Sequence, residues 1–152
     1  MGFSGYGLAV GLAVLAPNLL LIRRPPVPPL PAVRVPLALT WLERAGQAAC
    51  LVVPAITAPG MLTAGWVIPL VVALVAYYAL WARYLLTDRS PAALYGPLWT
   101  APVPMAILPV IVFFSAAAWL GNPWIAASAA ALAAGHIPAA LIIARAVPAR
   151  AR

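Results

Sequence analysis

Apolar residues run through this chain in long stretches with almost no charge between them, and the stretches are cut by short clusters of arginine, proline and glycine. Residues 45–82 are wholly uncharged and divide at Pro59-Gly60 into two segments, each long enough to cross a bilayer core as a helix. Strand-like alternation of apolar and polar positions is missing, which selects helices over a transmembrane barrel. The pattern predicts an all-α, single-domain bundle spanning the whole chain, with five membrane spans near 6–22, 40–57, 64–86, 101–120 and 123–146. A proline- and arginine-rich loop over 23–39 joins the first two.

The local signals agree with these limits. Thr40-Trp41-Leu42-Glu43 fits a capping box, and Ser90-Pro91 and Asn122-Pro123 each fit an N-cap followed by proline at the first helical position. Prolines inside the spans, at Pro17, Pro54, Pro69, Pro104, Pro109 and Pro138, predict kinks and freed carbonyls. The run Pro25-Pro26-Val27-Pro28-Pro29-Leu30-Pro31 predicts an extended, stiff arm. No internal repeat is visible, which argues against a transporter made of inverted halves.

Composition strengthens the membrane reading. Hydrophobic residues make up 66% of the chain and charged residues 7%, with a mean hydropathy of +1.04, more apolar surface than a soluble domain of 152 residues could bury. The N-terminus has no positive n-region and no small-residue cleavage site, so the first apolar run reads as a retained span rather than a signal peptide.

The net charge of +7 comes from nine arginines that fall at segment ends and in short loops, not in one patch, so nucleic-acid binding is not expected. Arg23, Arg24, Arg34 and Arg44, then Arg83 and Arg89, then Arg145, Arg150 and Arg152, all map to one side of a five-span bundle. By the positive-inside rule the N-terminus is outside and the C-terminus cytoplasmic. One cysteine, Cys50, and one histidine, His136, offer no disulfide, haem or metal set, so no metal and no cofactor are expected.

The only acids are Glu43 and Asp88, both at the cytoplasmic end. A carboxyl group at a bilayer edge costs free energy unless it is paired, protonated or used. Thr40, Glu43, Gln47, Cys50 and Pro54 share one face of the second span; Tyr77, Trp81, Tyr84 and Asp88 share one face of the third. Each set also has a plain structural use: a helix cap for Glu43, an interfacial belt for the aromatics, a solvated ion pair for Asp88, and interhelical hydrogen bonds for Asn18, Gln47 and His136. A protonated carboxylic acid beside aromatic faces in a dry pocket suits one reaction in particular, protonation of an alkene or epoxide on a prenyl chain followed by cationic ring closure.

Five stretches together carry a family resemblance: Ala16-Pro17-Asn18-Leu19-Leu20, Leu42-Glu43-Arg44-Ala45-Gly46-Gln47, Tyr77-Tyr78-Ala79-Leu80-Trp81-Ala82-Arg83-Tyr84, Pro102-Val103-Pro104-Met105 and Gly135-His136-Ile137-Pro138. Over nearly its whole length the chain resembles the small bacterial integral-membrane terpene cyclases of drimentine-type indole sesquiterpenoid pathways. The resemblance implies cyclisation of a farnesyl group already attached to an indole-containing acceptor, without metal or diphosphate ionisation, downstream of a prenyltransferase. The expected partners are then a prenylated hydrophobic small molecule and membrane lipid. On the residues, Glu43 or Asp88 is the proton donor and His136 a final proton acceptor, with Gln47 orienting Glu43 and Tyr77, Trp81, Tyr84 and Asn18 lining the substrate path. The alternative is a non-catalytic carrier or accessory subunit in which the same polar residues line a solute path or an interface.

Overall fold

The computed structural model describes residues 2–148, and among these it is all-helical with no strand. Seven helices follow in order: α1 Gly5–Asn18, α2 Leu20–Arg23, α3 Leu37–Ile56, α4 Val67–Leu86, α5 Pro91–Tyr95, α6 Pro104–Trp119 and α7 Pro123–Ala146, with a 3-10 turn over Ala64–Trp66 leading into α4. The stretches Gly5–Arg23, Ala64–Leu86 and Pro123–Ala146 are long and apolar enough to cross a membrane, and Pro104–Trp119 is a shorter apolar helix. Ile68, Val72 and Val75 on α4 and Leu12 on α1 face outward, so the bundle is apolar outside as well as inside. Such a surface needs lipid around it, which makes this a membrane protein.

Neighbouring helices run antiparallel. Gly2 and Ser4 donate their amides to Ile56 and Ala55 at the end of α3, while Gly60 and Thr63 donate to Leu120 and Trp119 at the end of α6. The uncharged connections therefore gather at one end. At the other end Tyr84 donates its hydroxyl to the Arg24 carbonyl at 2.7 Å, and Val27 donates its amide to the Arg89 carbonyl. Arg23, Arg24, Arg34, Arg44, Arg83, Arg89 and Arg145 all lie toward this second end; Arg150 and Arg152 fall outside the described residues.

Proline sets several boundaries that hydropathy places elsewhere. The helix of the second expected span, α3, begins at Leu37, with Pro36 as its N-cap, three residues before the expected start. Thr40 therefore caps nothing; its hydroxyl donates to the Pro36 carbonyl one turn back. The capping-box expectation fails there, and Glu43 is released from a capping role. Pro104 occupies the first turn of α6 and Pro69 the first turn of α4, so neither kinks a helix. Pro17 does act inside α1. Lacking an amide proton, it leaves the Ala13 carbonyl free, and Tyr78 on α4 donates its hydroxyl to that oxygen at 2.8 Å. The first span is correspondingly interrupted at Leu19, between α1 and α2. Asn122 behaves as expected of an N-cap, its Oδ1 accepting from the Trp124 amide at 3.0 Å. Ser90 stands at the N-cap of α5 but its hydroxyl makes no capping bond.

The core is a column of side chains between α1, α4, α6 and α7: Val10, Val14, Leu70, Tyr77, Trp81, Tyr84, Val112, Phe113, Ala129 and Leu132. The most extensive helix pairing is that of α3 with α7, and small residues allow it. A Cβ on Gly46 would come 2.5 Å from the Leu132 backbone, and one on Gly135 would come 2.7 Å from the Glu43 Cα. Close backbone approach of this kind is how helices associate in lipid, where no hydrophobic force separates inside from outside.

Candidate functional site

That close pairing decides where the polar residues meet. With Gly135 seated on the backbone at Glu43, the next residue on α7, His136, reaches Glu43 directly: its Nδ1 lies 2.6 Å from Glu43 Oε1. One proton bridges this contact, with either an imidazole N–H donating to a carboxylate or a carboxylic O–H donating to the ring nitrogen. Gln47, one turn along α3, donates its amide to the same oxygen at 3.4 Å. Oε2 has no hydrogen-bond partner among the described residues. The two side chains are 26% exposed for His136 and 24% for Glu43, sheltered without being sealed.

The pair stands on the wall of a cavity of about 630 Å³ in the half of the bundle nearer the arginine-rich end. Small-molecule sites commonly fall in the range of about 300–1,000 Å³. Most of the wall is apolar or aromatic: Val14 from α1, Cys50 and Leu51 from α3, Tyr77 and Trp81 from α4, Tyr95 from α5, Pro109 and Phe113 from α6, and Leu132 from α7. The lining residues that are exposed, Asn18, Arg44, Gln47 and Ala48, all belong to α1 and α3. The cavity therefore opens sideways, between those two helices, through the flank of the bundle.

On the α4 wall the aromatic side chains hold one another edge to face. Tyr77 and Trp81 meet with ring centroids 6.3 Å apart, and Trp81 and Tyr84 at 5.6 Å, both near-perpendicular. Asn18 bridges the mouth to this wall. Its side-chain amide donates to the Val14 carbonyl at 2.8 Å and to the Tyr77 hydroxyl at 2.9 Å. The indole N–H of Trp81, 3% exposed as a residue, is buried and makes no hydrogen bond of good geometry among the described residues.

Of the residues singled out from the sequence, Glu43, Gln47, Asn18, Tyr77, Trp81 and His136 share this one cavity. Tyr84 does not line it; fully buried, it packs on Trp81 and ties α4 to the arm after α2. Asp88 lies elsewhere. The α4 helix ends at Leu86, and Asp88 sits exposed in the following turn with φ of 55°, so the three-four spacing that put it below Tyr84 no longer applies. The Asp88 carboxylate makes no ion pair with Arg83 or Arg89; among the described residues His136 against Glu43 is the one contact of this length between a basic and an acidic side chain.

Tyr95 and Phe113 are wall residues that sequence spacing does not reveal, because α5 is a single short turn and α6 is apolar on every side. The Tyr95 phenol is pushed above its ordinary range, chiefly by burial and further by the Glu43 carboxylate. No group of three or more histidine, cysteine, aspartate or glutamate side chains able to hold a metal ion occurs among the described residues. No family model, no curated protein and no solved structure matches the chain, so its chemistry is read from the geometry of this cavity.

Proposed function

We propose that this protein is a five-span enzyme of the bacterial inner membrane, N-terminus outside and C-terminus cytoplasmic, that cyclises a prenyl chain by protonating it. The observation that carries the reading is a carboxyl-imidazole pair on the wall of an apolar, aromatic-lined cavity with a lateral mouth. The five spans are α1 with α2, then α3, α4, α6 and α7, and the arginines at one end set the orientation.

Glu43 is the acid. Its Oε1 faces His136 Nδ1 and accepts from Gln47; in this reading the neutral imidazole donates its Nδ1–H to Oε1 as well, and Oε2 is the oxygen left to carry a proton toward an alkene. In the first step the Oε2–H bond breaks and a C–H bond forms at the less substituted alkene carbon. The positive charge develops at the neighbouring tertiary carbon, and the two donors on Oε1 stabilise the carboxylate left behind. The next double bond then supplies its electron pair to that carbon and closes a ring. Tyr77, Trp81, Tyr95 and Phe113 offer ring faces to the migrating charge, a contribution of about 0.5–2 kcal/mol for each well-placed contact. Loss of a proton from the carbon beside the final cation returns it to the Glu43–His136 pair. Nothing is consumed: the reaction is an isomerisation.

A farnesyl group on an indole-bearing acceptor is the substrate we propose, delivered by a prenyltransferase and reaching the site from the lipid between α1 and α3. The test is incubation of membranes containing the protein with such a farnesylated indole, with product followed by mass-neutral change of retention and by NMR. Cyclised product that disappears in Glu43→Gln supports the reading; unchanged substrate with folded protein sinks it.

The lateral mouth also suits a second reading, a carrier that binds an apolar solute and uses the Glu43–His136 pair as a protonation switch. Uptake of the same indole into proteoliposomes, with the compound recovered chemically unchanged, would favour the carrier.

A further inference from the structure

A second cavity, of about 760 Å³, lies between the last turns of α4 and α7 and the short helix α5. Arg83 and Arg145 both stand on its wall, and no acidic residue does. Arg83 is fixed: it donates from one terminal nitrogen to the Ala93 carbonyl at 2.9 Å, while its Nε is buried without a partner among the described residues. Arg145 is exposed at the end of α7 with no hydrogen-bond or ion-pair partner among the described residues. Two guanidinium groups thus share one recess with no carboxylate among the described residues to neutralise them. Arginine at helix C-termini is also favoured by the helix dipole. That accounts for a charge at each end, but not for a recess between them or for an unmet N–H on Arg83.

We propose that this cavity binds a phosphate group. Guanidinium forks match phosphate oxygens bidentately, and basic pockets between helices on the cytoplasmic side of a membrane take phosphate-bearing headgroups. Tyr95 belongs to the walls of both cavities, so a phosphate held here sits one side chain away from the proposed acid site. The binding itself is independent of what that site catalyses.

The phosphate could be that of a lipid or of a small soluble ion, and one experiment separates them. The full chain is placed in phosphatidylcholine nanodiscs, and binding is measured by native mass spectrometry with two probes, phosphatidic acid added to the disc and inorganic pyrophosphate added to the buffer. Saturable binding of pyrophosphate supports a site open to soluble phosphates; binding of phosphatidic acid without pyrophosphate supports a headgroup site. In either case Arg145→Gln, and the double variant with Arg83→Lys, should weaken binding about tenfold or more. Arg34→Gln removes an equal charge from the exposed arm outside the cavity and should leave it unchanged. The proposal is overturned if neither probe binds beyond the phosphatidylcholine background, if folded Arg145→Gln binds as the parent does, or if Arg34→Gln weakens binding equally.

Discussion

Gly135 rests on the backbone of Glu43, close enough that a Cβ on the glycine would come 2.7 Å from the Glu43 Cα. The contact sets the register of α7 on α3 and so places His136 beside the carboxyl group. Gly135→Ala has no flexible side chain to push aside there, only backbone, so the helices must separate or slide. Overpacking of this kind costs about 1–3 kcal/mol. The expected result is a lower unfolding midpoint in detergent together with loss of the Glu43–His136 contact, seen as a change in the His136 ring signals by NMR. Unchanged stability and an unchanged histidine spectrum would mean that the helices do not meet as closely as described.

The roles of the polar residues can be separated by turnover. If Glu43 delivers the proton, Glu43→Gln should lower the rate by about 10²–10⁴-fold, the usual worth of a positioned acid. His136→Phe should also slow the reaction, since it removes the shorter of the two bonds to Oε1. Gln47→Leu should act more weakly, because its bond at 3.4 Å is long. Asp88→Asn should leave turnover as it was, since Asp88 stands in an exposed turn away from the cavity. An inactive Asp88→Asn beside an active Glu43→Gln would reverse the assignment.

How far this site could be read from the chain depends on where regular helix geometry holds. Glu43, Gln47 and Cys50 fall on one wall of the cavity as their spacing requires, and Tyr77 and Trp81 do so on another, because both sets lie well inside helices. Asp88 lies beyond the end of α4, where the backbone turns to positive φ and the spacing loses its meaning. Thr40 and Glu43 have the composition of a capping box, but Pro36 supplies the actual start of α3. The Glu43–His136 pairing spans 93 positions, and no local periodicity can express it. Its trace in the sequence is indirect: Gly46 beside Gln47 and Gly135 beside His136, small residues next to polar ones on two helices that pack in lipid.

Tyr78 and Pro17 offer a test of the membrane packing that is independent of the chemistry. Pro17 cannot donate to the Ala13 carbonyl, and the Tyr78 hydroxyl does so instead. Tyr78→Phe should then cost about 1 kcal/mol of stability. In a Pro17→Ala background the alanine amide can reach the same carbonyl, so Tyr78→Phe should cost much less. A double-mutant cycle on denaturation midpoints measures the difference. Equal costs in both backgrounds would show that the hydroxyl does not compensate for the proline.

Tyr95 reports on the charge of the acid site without any substrate. Burial and the Glu43 carboxylate both raise its phenol above the ordinary range, burial being the larger cause. Glu43→Gln removes the smaller cause and leaves the larger. The Tyr95 titration should therefore move down in pH in this variant yet stay above that of a free tyrosine. Folded protein holds the Tyr95 proton more tightly than unfolded chain does, so its share of stability is intact below the ordinary tyrosine range. It is lost as the pH climbs from there through the raised value. Carbon-13-labelled tyrosine NMR, with Tyr95→Phe to assign the signal, follows both. A Tyr95 titration that ignores Glu43→Gln would mean that the carboxylate does not act across the cavity on this wall, and would remove Tyr95 from the path proposed for the cation.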